Sequence, residues 1–437
     1  MRYLHIILFF IFIIINNTNA QNTAIDLVVK NEIKGLADTY YYLHQNPEVS
    51  LCEKNTAAYL VQNLAKRGIK ADANVGGNGV VVVLENGKGP TVLVRADIDA
   101  LPVKEETGVA YASKITMKDH NGKEVPAMHA CGHDIHMSVW LGTIVAFNAI
   151  QNWKGKIIFV AQPAEEIVVG AKAMLDEGLY KKYGKPDFCL ALHDASDMPA
   201  GKIGYCSEYA MASVNSINIT VKGVSGHGAY PHNTVDPIVM SAKLILDLQT
   251  IISRDIPAIE PAVLTVGTIH GGTKRNIIAN ETRLELTLRT YNDKIKDLII
   301  EKIREKAKGV AVSEGLPESL YPDIEITPEH SPALYNNPIL TARLVPAFEN
   351  AIGKANVTKV KPVMVSEDFG HFGLEDNSVP VFLFWLGAVE PKKYESYKSQ
   401  NKILPSLHSS TFLPEPVETI STGIRSMSGA LLELLKE

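Results

Sequence analysis

Up to about residue 211 the chain alternates short, nearly unbroken apolar runs with stretches of helical spacing. The runs at 80–84, 91–94, 157–161 and 188–192 lack the every-second-residue polarity of a half-solvated strand. They predict strands buried on both faces, as in a largely parallel sheet. Apolar residues recur at helical spacing over 25–42 and 52–67, with Gly68 placed to close the second helix. Beyond residue 211 the pattern changes. Residues 214–222 and 282–291 alternate as strands, 262–269 and 322–327 read as two more, and 236–254 and 294–308 read as helices, the last closed by Gly309. The order βαββαβ is that of a split ferredoxin-like unit, and it implies an antiparallel sheet with one solvated face and free edges. From Ser331 the first pattern returns, with a helix at 337–351, a buried strand at 381–385 closing with Gly387, and a last helix at 416–435. The expected fold is α/β: a mixed-sheet α/β catalytic domain, 21–211 and 330–437, with an inserted ferredoxin-like α+β domain at 212–329.

The first twenty residues change this picture at one end. Arg2 is followed by an apolar run over 6–15 and by a polar stretch from Asn16 to Ala20. That arrangement predicts a secretory signal over 1–20, cleaved after Ala20, and a secreted or periplasmic protein. The run is short for a membrane span, and no membrane association is expected after cleavage. Gln21 offers no cysteine for a lipid. The chain of 437 residues has a net charge of −5 and no long basic run, so a nucleic-acid partner is not expected. Four cysteines in so long a chain do not form a disulfide scaffold, although export would leave a Cys189–Cys206 bridge open.

Candidate chemistry gathers at the ends of the predicted strands. The stretch from Met128 to His136 holds a thiol, three imidazoles and a carboxylate among small residues, a donor mixture suited to a zinc-like divalent ion. Cys131 and His133 lie two apart across Gly132, so one loop can aim both at one ion, and the apolar run that follows places that loop at a helix N-terminus. A polar loop whose histidines cap a helix is the competing reading. Asp97 ends one strand, where it serves the site or pairs with Arg95. Glu165 and Glu166 end another, and two adjacent carboxylates need a neutralising cation. His193 stands at the end of a third. Donors converging from four elements are hard to explain as packing.

These residues carry a resemblance. Arg95-Ala96-Asp97-Ile98-Asp99-Ala100-Leu101-Pro102, His129-Ala130-Cys131-Gly132-His133-Asp134, Gln162-Pro163-Ala164-Glu165-Glu166, Leu192-His193, Gly226-His227-Gly228-Ala229-Tyr230-Pro231-His232, Gly271-Gly272-Thr273, Ser366-Glu367-Asp368-Phe369 and Leu407-His408-Ser409 follow one another along the chain. In that order they resemble the amidohydrolase branch of the M20 metallopeptidase clan, which holds hippurate, N-acyl-amino-acid and auxin-conjugate hydrolases. The resemblance implies two divalent ions per chain, zinc or manganese, with cobalt or nickel as alternatives. Cys131 would bridge them, Glu166 and His408 completing one and His133 and His193 the other, with Asp97 behind the ligands. Glu165 would be the general base, and His227 would stabilise the oxyanion. Asn276 and Arg289 would hold the substrate carboxylate, although Arg289 on an alternating strand also reads as a surface ion-pair partner. His44, His136 and His232 are expected to make packing or supporting hydrogen bonds. A histidine that reaches the neighbouring subunit's site in this clan implies a homodimer through the inserted domain.

The branch usually has a glycine where Val365 stands and a proline where Ala279 stands, and the stretch from His193 to Asp197 is unusually acidic. These departures bear on the substrate. The expected function is hydrolysis of N-acyl amino acids or short peptides by metal-activated water. The alternatives are a dipeptidase or aminopeptidase, with Asp194 or Asp197 meeting a free ammonium, and a ligand-binding protein without catalysis. No G-x-S-x-G elbow exists for a serine hydrolase.

Overall fold

The computed structural model describes residues 2–374 and 377–436 and, for 2–22, the backbone alone. The chain divides into two compact units. One takes the chain up to Glu208, Tyr335–Lys361 and everything from His371 on; the other takes Tyr209–Leu334 and Pro362–Gly370.

In the first unit the strands lie in the order Asp72–Val75, Gly79–Asn86, Gly155–Gln162, Thr91–Asp97, Phe188–Pro199, Val381–Val389. Gly79–Asn86 runs antiparallel to Gly155–Gln162, and the next three pairings are parallel, so the sheet is mixed. The unbroken apolar runs sit at its centre. Val92, Val94, Ile157, Phe159, Leu190 and Phe382 are all buried in one core with the helices that cover the sheet. One of those helices, His133–Ala149, is apolar nearly all round and correspondingly buried on every side. Another, Pro416–Leu434, starts with Pro416 inside its first turn and with the Glu415 carboxylate accepting from the Val417 and Glu418 amides.

Two expectations are corrected in this unit. The strand carrying His193 does not end there. It continues to Pro199 because its neighbour keeps pairing with it, Trp385 opposite His193 and Gly387 opposite Ala195. The predicted signal segment is the first part of one unbroken helix, Arg2–Gln45, which passes through the expected cleavage point after Ala20 without a turn. Its later residues Ile25, Val29, Leu36, Tyr40 and Leu43 are buried in the main core. A signal hydrophobic run and the start of a helix share the same local pattern, and the expectation of a secreted or periplasmic protein is not sustained. The side chains of the apolar run at 6–15 lie outside the described residues. Among the described residues no helix is long and apolar enough to cross a membrane.

The second unit is the ferredoxin-like element. Its sheet has the order Ala262–Gly271, Glu281–Thr290, Val214–Lys222, Asp323–Ser331, antiparallel throughout. Helices Pro237–Thr250 and Asp293–Ser313 pack on it, and Ile217, Ile219, Leu244, Leu284, Leu286, Ile299 and Ile303 form the core between them. Gly309 does not close the second helix. It lies inside it, and the chain turns at Gly315, which has a φ of 72°. Residues 362–370 join this unit through backbone and side-chain bonds that have no local signature. The Ala212 amide donates to the Val365 carbonyl at 2.9 Å, the Val363 amide to Ala210 at 3.0 Å, and Arg289 Nη1 to the Met364 carbonyl at 3.2 Å.

Candidate metal centre

Cys131 stands two residues before His133, the first residue of the buried helix His133–Ala149. Gly132 between them has a φ of 72°, and a side chain there would run into the Asp194 carboxylate. Only glycine meets both conditions without strain. The loop therefore presents Cys131 and His133 to the same space. The His408 loop is tied to it, since the His408 amide donates to the Ala130 carbonyl at 2.8 Å while His408 itself holds a left-handed φ of 65°.

Several groups of donors result among the described residues, and two of them share Cys131. Cys131, His133 and His193 form one, and Cys131, Glu166 and His408 the other, each with its ligand atoms within 4.8 Å of one another. Cys131 Sγ lies 3.6 Å from His193 Nε2 and 3.2 Å from His408 Nε2. Glu166 stands 3.5 Å from His408 Nε2 through Oε2 and 3.7 Å from His133 Nε2 through Oε1. Ligands at about 2.0–2.3 Å from a tetrahedral ion stand roughly 3.3–3.7 Å apart, close to these separations of 3.2–3.7 Å. Glu165 Oε2 is 3.9 Å from His133 Nε2. The side chain of His408 is 55% exposed, whereas those of Glu165 and Glu166 are each 8% exposed, so the cluster opens to solvent on the His408 side.

The histidine ring orientations are set from behind. His133 Nδ1 donates to the Asp99 carbonyl at 2.7 Å and His193 Nδ1 to the Asp194 carbonyl at 2.8 Å. Both rings thus turn Nε2 toward the cluster, as ligating histidines do. His133 Nε2 and Glu166 Oε1 are buried with no hydrogen-bond partner. A buried lone pair facing a buried carboxylate oxygen is a costly arrangement unless a cation fits there. The electrostatics point the same way. Burial and the carboxylates of Glu166, Glu165, Asp194 and Asp97 push the Cys131 thiol well above its ordinary range. Burial, opposed by His133 and reinforced by Asp99 and Asp97, raises Glu166 to about 8. Burial lowers His133, but Asp97, Asp99 and Glu166 outweigh it and hold its pKa well up. A site with this much negative charge takes up protons or metal ions, and the thiol, imidazole and carboxylate donors fit a borderline divalent ion.

The structure uses Asp97 twice. One oxygen accepts from Arg95 Nη1 at 2.6 Å and the other from His136 Nδ1 at 2.6 Å. His136 Nε2 in turn accepts the Asp194 amide at 2.9 Å, so this ring is a link behind the ligands. Asp194 is buried, 3.3 Å from both His136 and His193, and is not available to meet a substrate ammonium. All four cysteines are free thiols, which settles the open Cys189–Cys206 pairing.

His227, Asn276 and Arg289 belong to the second unit. His227 pairs with Ile277 in a short ribbon, and the Gly228 amide donates to the Asn276 carbonyl at 2.9 Å, so His227 and Asn276 are neighbours. His227 Nδ1 accepts the Ala229 amide at 3.0 Å, which leaves Nε2 as the donor. The half-buried Arg289 contacts the Met364 carbonyl and, at 3.5 Å, the Ser366 hydroxyl. No ion pair to it is found among the described residues.

His44, expected to make packing or supporting hydrogen bonds, does so in a second buried network whose carboxylates sequence reasoning did not name. His44 lies between Asp134 at 2.7 Å and Glu105 at 3.1 Å. Burial alone would lower its pKa, but the two carboxylates raise it to about 9. A histidine raised in the folded state stabilises fully below its unfolded pKa near 6.5 and loses that stabilisation as pH climbs through 9. The shift corresponds to about 3 kcal/mol. Urea unfolding of the wild type and His44→Gln at pH 6 and pH 10 should show the gap between them narrowing by about that much. A gap independent of pH would refute a charged His44.

Comparisons with known proteins agree with this geometry. Residues 93–406 match the model of Peptidase family M20/M25/M40. The chain is 36% identical over 395 residues to an N-acetyldiaminopimelate deacetylase of Limosilactobacillus reuteri, covering 89% of this chain and 95% of that one. A deacetylase of the same description from Lactobacillus acidophilus is 35% identical over 405 residues, 92% and 98% of the two chains. Among solved structures, an aminohydrolase from methicillin-resistant Staphylococcus aureus superposes with a TM-score of 0.81 at 28% identity, over 95% of this chain and all of that one. The Bacillus subtilis YXEP protein, described as a dinuclear metal-binding peptidase of the M20 family, gives 0.73 at 25% identity, over 93% and 99%. Kinship to deacetylases of N-acetyldiaminopimelate, together with the unbroken first helix, replaces the expectation of an exported protein. The chain belongs to Peptidase family M20/M25/M40 and is a hydrolase of amide bonds.

Proposed function

We propose that the protein removes the acyl group from an N-acyl amino acid, with an N-acetylated diamino acid such as N-acetyldiaminopimelate as the substrate suggested by its relatives. The observation that carries this reading is the pair of donor groups sharing Cys131, with Glu165 beside them. Cys131, His133 and His193 would hold one divalent ion and Cys131, Glu166 and His408 a second, zinc or manganese being the best matched. Such ions supply, when bound, a water made acidic near neutral pH and positive charge against the amide carbonyl. Glu165 accepts the water's proton and passes it to the leaving nitrogen. His227 Nε2 is the donor for the oxygen that gains negative charge, and Asn276 and Arg289 hold the amino-acid carboxylate.

The competing reading, a peptidase acting on free amino termini, loses one of its two candidate carboxylates, because Asp194 is fully buried, while Asp197 is exposed. The metal-loaded protein, assayed on a panel of N-acetyl amino acids and free-amine dipeptides, should release acetate from the former at least tenfold faster. Faster cleavage of the dipeptides would overturn the reading.

The same reading includes a homodimer through the second unit. The edge strand Ala262–Gly271 has a free side in that unit's sheet, and the helix Pro237–Thr250 packed near it exposes Ile238, Val239 and Leu246. Light scattering at micromolar concentration should give twice the chain mass. A fully active monomer would exclude a required dimer.

A further inference from the structure

The turn that carries Glu165 and Glu166 is flanked by two non-glycine residues in the left-handed region, Ala164 with a φ of 52° and Val168 with a φ of 51°. Such residues persist only where their surroundings over-determine them. Val168 is held by its amide, which donates to the Glu165 carbonyl at 2.7 Å. The Ala164 carbonyl accepts the Val169 and Gly170 amides, each at 3.2 Å, and the Ala164 amide is held from a distant part of the chain. That amide donates to Glu53 Oε1 at 2.8 Å, across 111 positions of sequence.

Glu53 is fully buried, and both its oxygens are occupied. Oε1 also accepts the Leu51 amide at 2.9 Å, and Oε2 accepts Asn78 Nδ2 at 2.9 Å. Glu53 occupies the N-cap position of the helix Lys54–Lys66, yet its side chain makes no capping bond there. Glu48 takes that role instead, accepting the Thr56 amide at 2.7 Å and the Thr56 hydroxyl at 2.9 Å. A carboxylate at a helix start that leaves capping to a neighbour has another use. The same segment braces the turn a second time: Ser50 Oγ donates to Asp99 Oδ2 at 2.7 Å, and that oxygen accepts the Glu166 amide at 3.0 Å.

We propose that Glu53 is a positioning residue for Glu165, fixing the Ala164 amide and with it the strained backbone that aims the Glu165 carboxylate. The inference rests on the reading of Glu165 as the proton carrier. Among the described residues Glu53 makes no hydrogen bond to a metal-ligand candidate, so its loss should act on turnover more than on metal or substrate binding. A misplacement of about 1 Å costs up to about 100-fold in rate.

The test compares kcat, KM and metal content of the metal-loaded wild type, Glu53→Ala, Glu53→Gln and Ala164→Gly, and of Glu53→Ala combined with Ala164→Gly, on one N-acetyl amino acid. Glu53→Ala should lower kcat by about 10- to 100-fold, with KM and metal content within twofold of the wild type. Glu53→Gln, which still offers an oxygen to the Ala164 amide, should recover most of the loss. Glycine adopts a φ of 52° without help, so with Ala164→Gly in place the Glu53→Ala loss should shrink at least threefold. If Glu53→Ala does not fold, Glu53→Asp, with its carboxylate withdrawn by one methylene, takes its place in both backgrounds. An unchanged kcat, or the same loss in both backgrounds, overturns the proposal. Glu165→Gln is assayed alongside. If it turns over like the wild type, the reading of the base has failed; if it is inactive while Glu53→Ala is fully active, only the role of Glu53 has failed.

Discussion

Glu165→Gln should lower kcat by about 100- to 10,000-fold and leave the metal content of the protein unchanged. The substitution keeps the shape of the side chain and removes its basic site. None of the five donors in the two groups sharing Cys131 is altered by it. Glu166→Gln should behave in the opposite order. Glu166 faces both His408 and His133, and its Oε1 is buried without a hydrogen-bond partner. A neutral amide is a poor ligand for a borderline cation, so this variant should lose metal first and activity as a consequence. Elemental analysis and initial rates on one N-acetyl amino acid read both. Wild-type turnover in Glu165→Gln, or loss of metal there but not in Glu166→Gln, would show that the two roles are assigned wrongly.

Cys131→Ser should have the largest effect on metal. Its sulfur is the one atom common to both donor groups, 3.2 Å from His408 and 3.6 Å from His193. The thiol is held well above its ordinary pKa by burial and by Glu166 and Glu165. It becomes a thiolate only when a cation replaces its proton, and a serine hydroxyl at the same place resists deprotonation far more. The variant should bind less than half the wild-type metal after incubation with excess ion and dialysis, and its turnover should fall in proportion. It should keep its fold, because the loop geometry depends on Gly132 and on the Ala130–His408 bond, which the substitution leaves in place. Full metal content in Cys131→Ser would remove Cys131 from the centre.

Much of this was legible in the chain because the relevant signals are local. Strands buried on both faces announce themselves as apolar runs, and the alternating strands of the second unit announce a one-sided sheet, as the burial of Glu281–Thr290 shows. Cys131 and His133 sit two apart because one loop carries both. The position of His193 within its strand was not legible, since only the neighbouring strand Val381–Val389 decides how far pairing runs. The attachment of residues 362–370 to the second unit rests on backbone bonds to Ala210 and Ala212 and on Arg289, none of which leaves a local pattern. Glu53 looked like an ordinary helix-start residue, and its partner Ala164 lies 111 positions away. The first helix misled for a physical reason. A consecutive apolar run serves a signal segment and the start of a helix equally, and kinship to N-acetyldiaminopimelate deacetylases, which no local pattern carries, is what counts against export.

The buried network of Asp97, Arg95, His136 and Asp194 explains why the site is so acidic and still folded. Asp97 is held well below the usual carboxylate range; burial opposes this, but His133, His136 and Arg95 prevail. Burial and neighbouring carboxylates favour the protonated forms of Cys131 and Glu166, and the proposed ions would take the place of those protons. The most direct measurement is therefore the metal stoichiometry of the purified wild type. After incubation with zinc or manganese and removal of excess ion, the account predicts two ions per chain, and full loss of acetate release when a chelator strips them. A stoichiometry of zero, or undiminished acetate release from stripped protein, would contradict it.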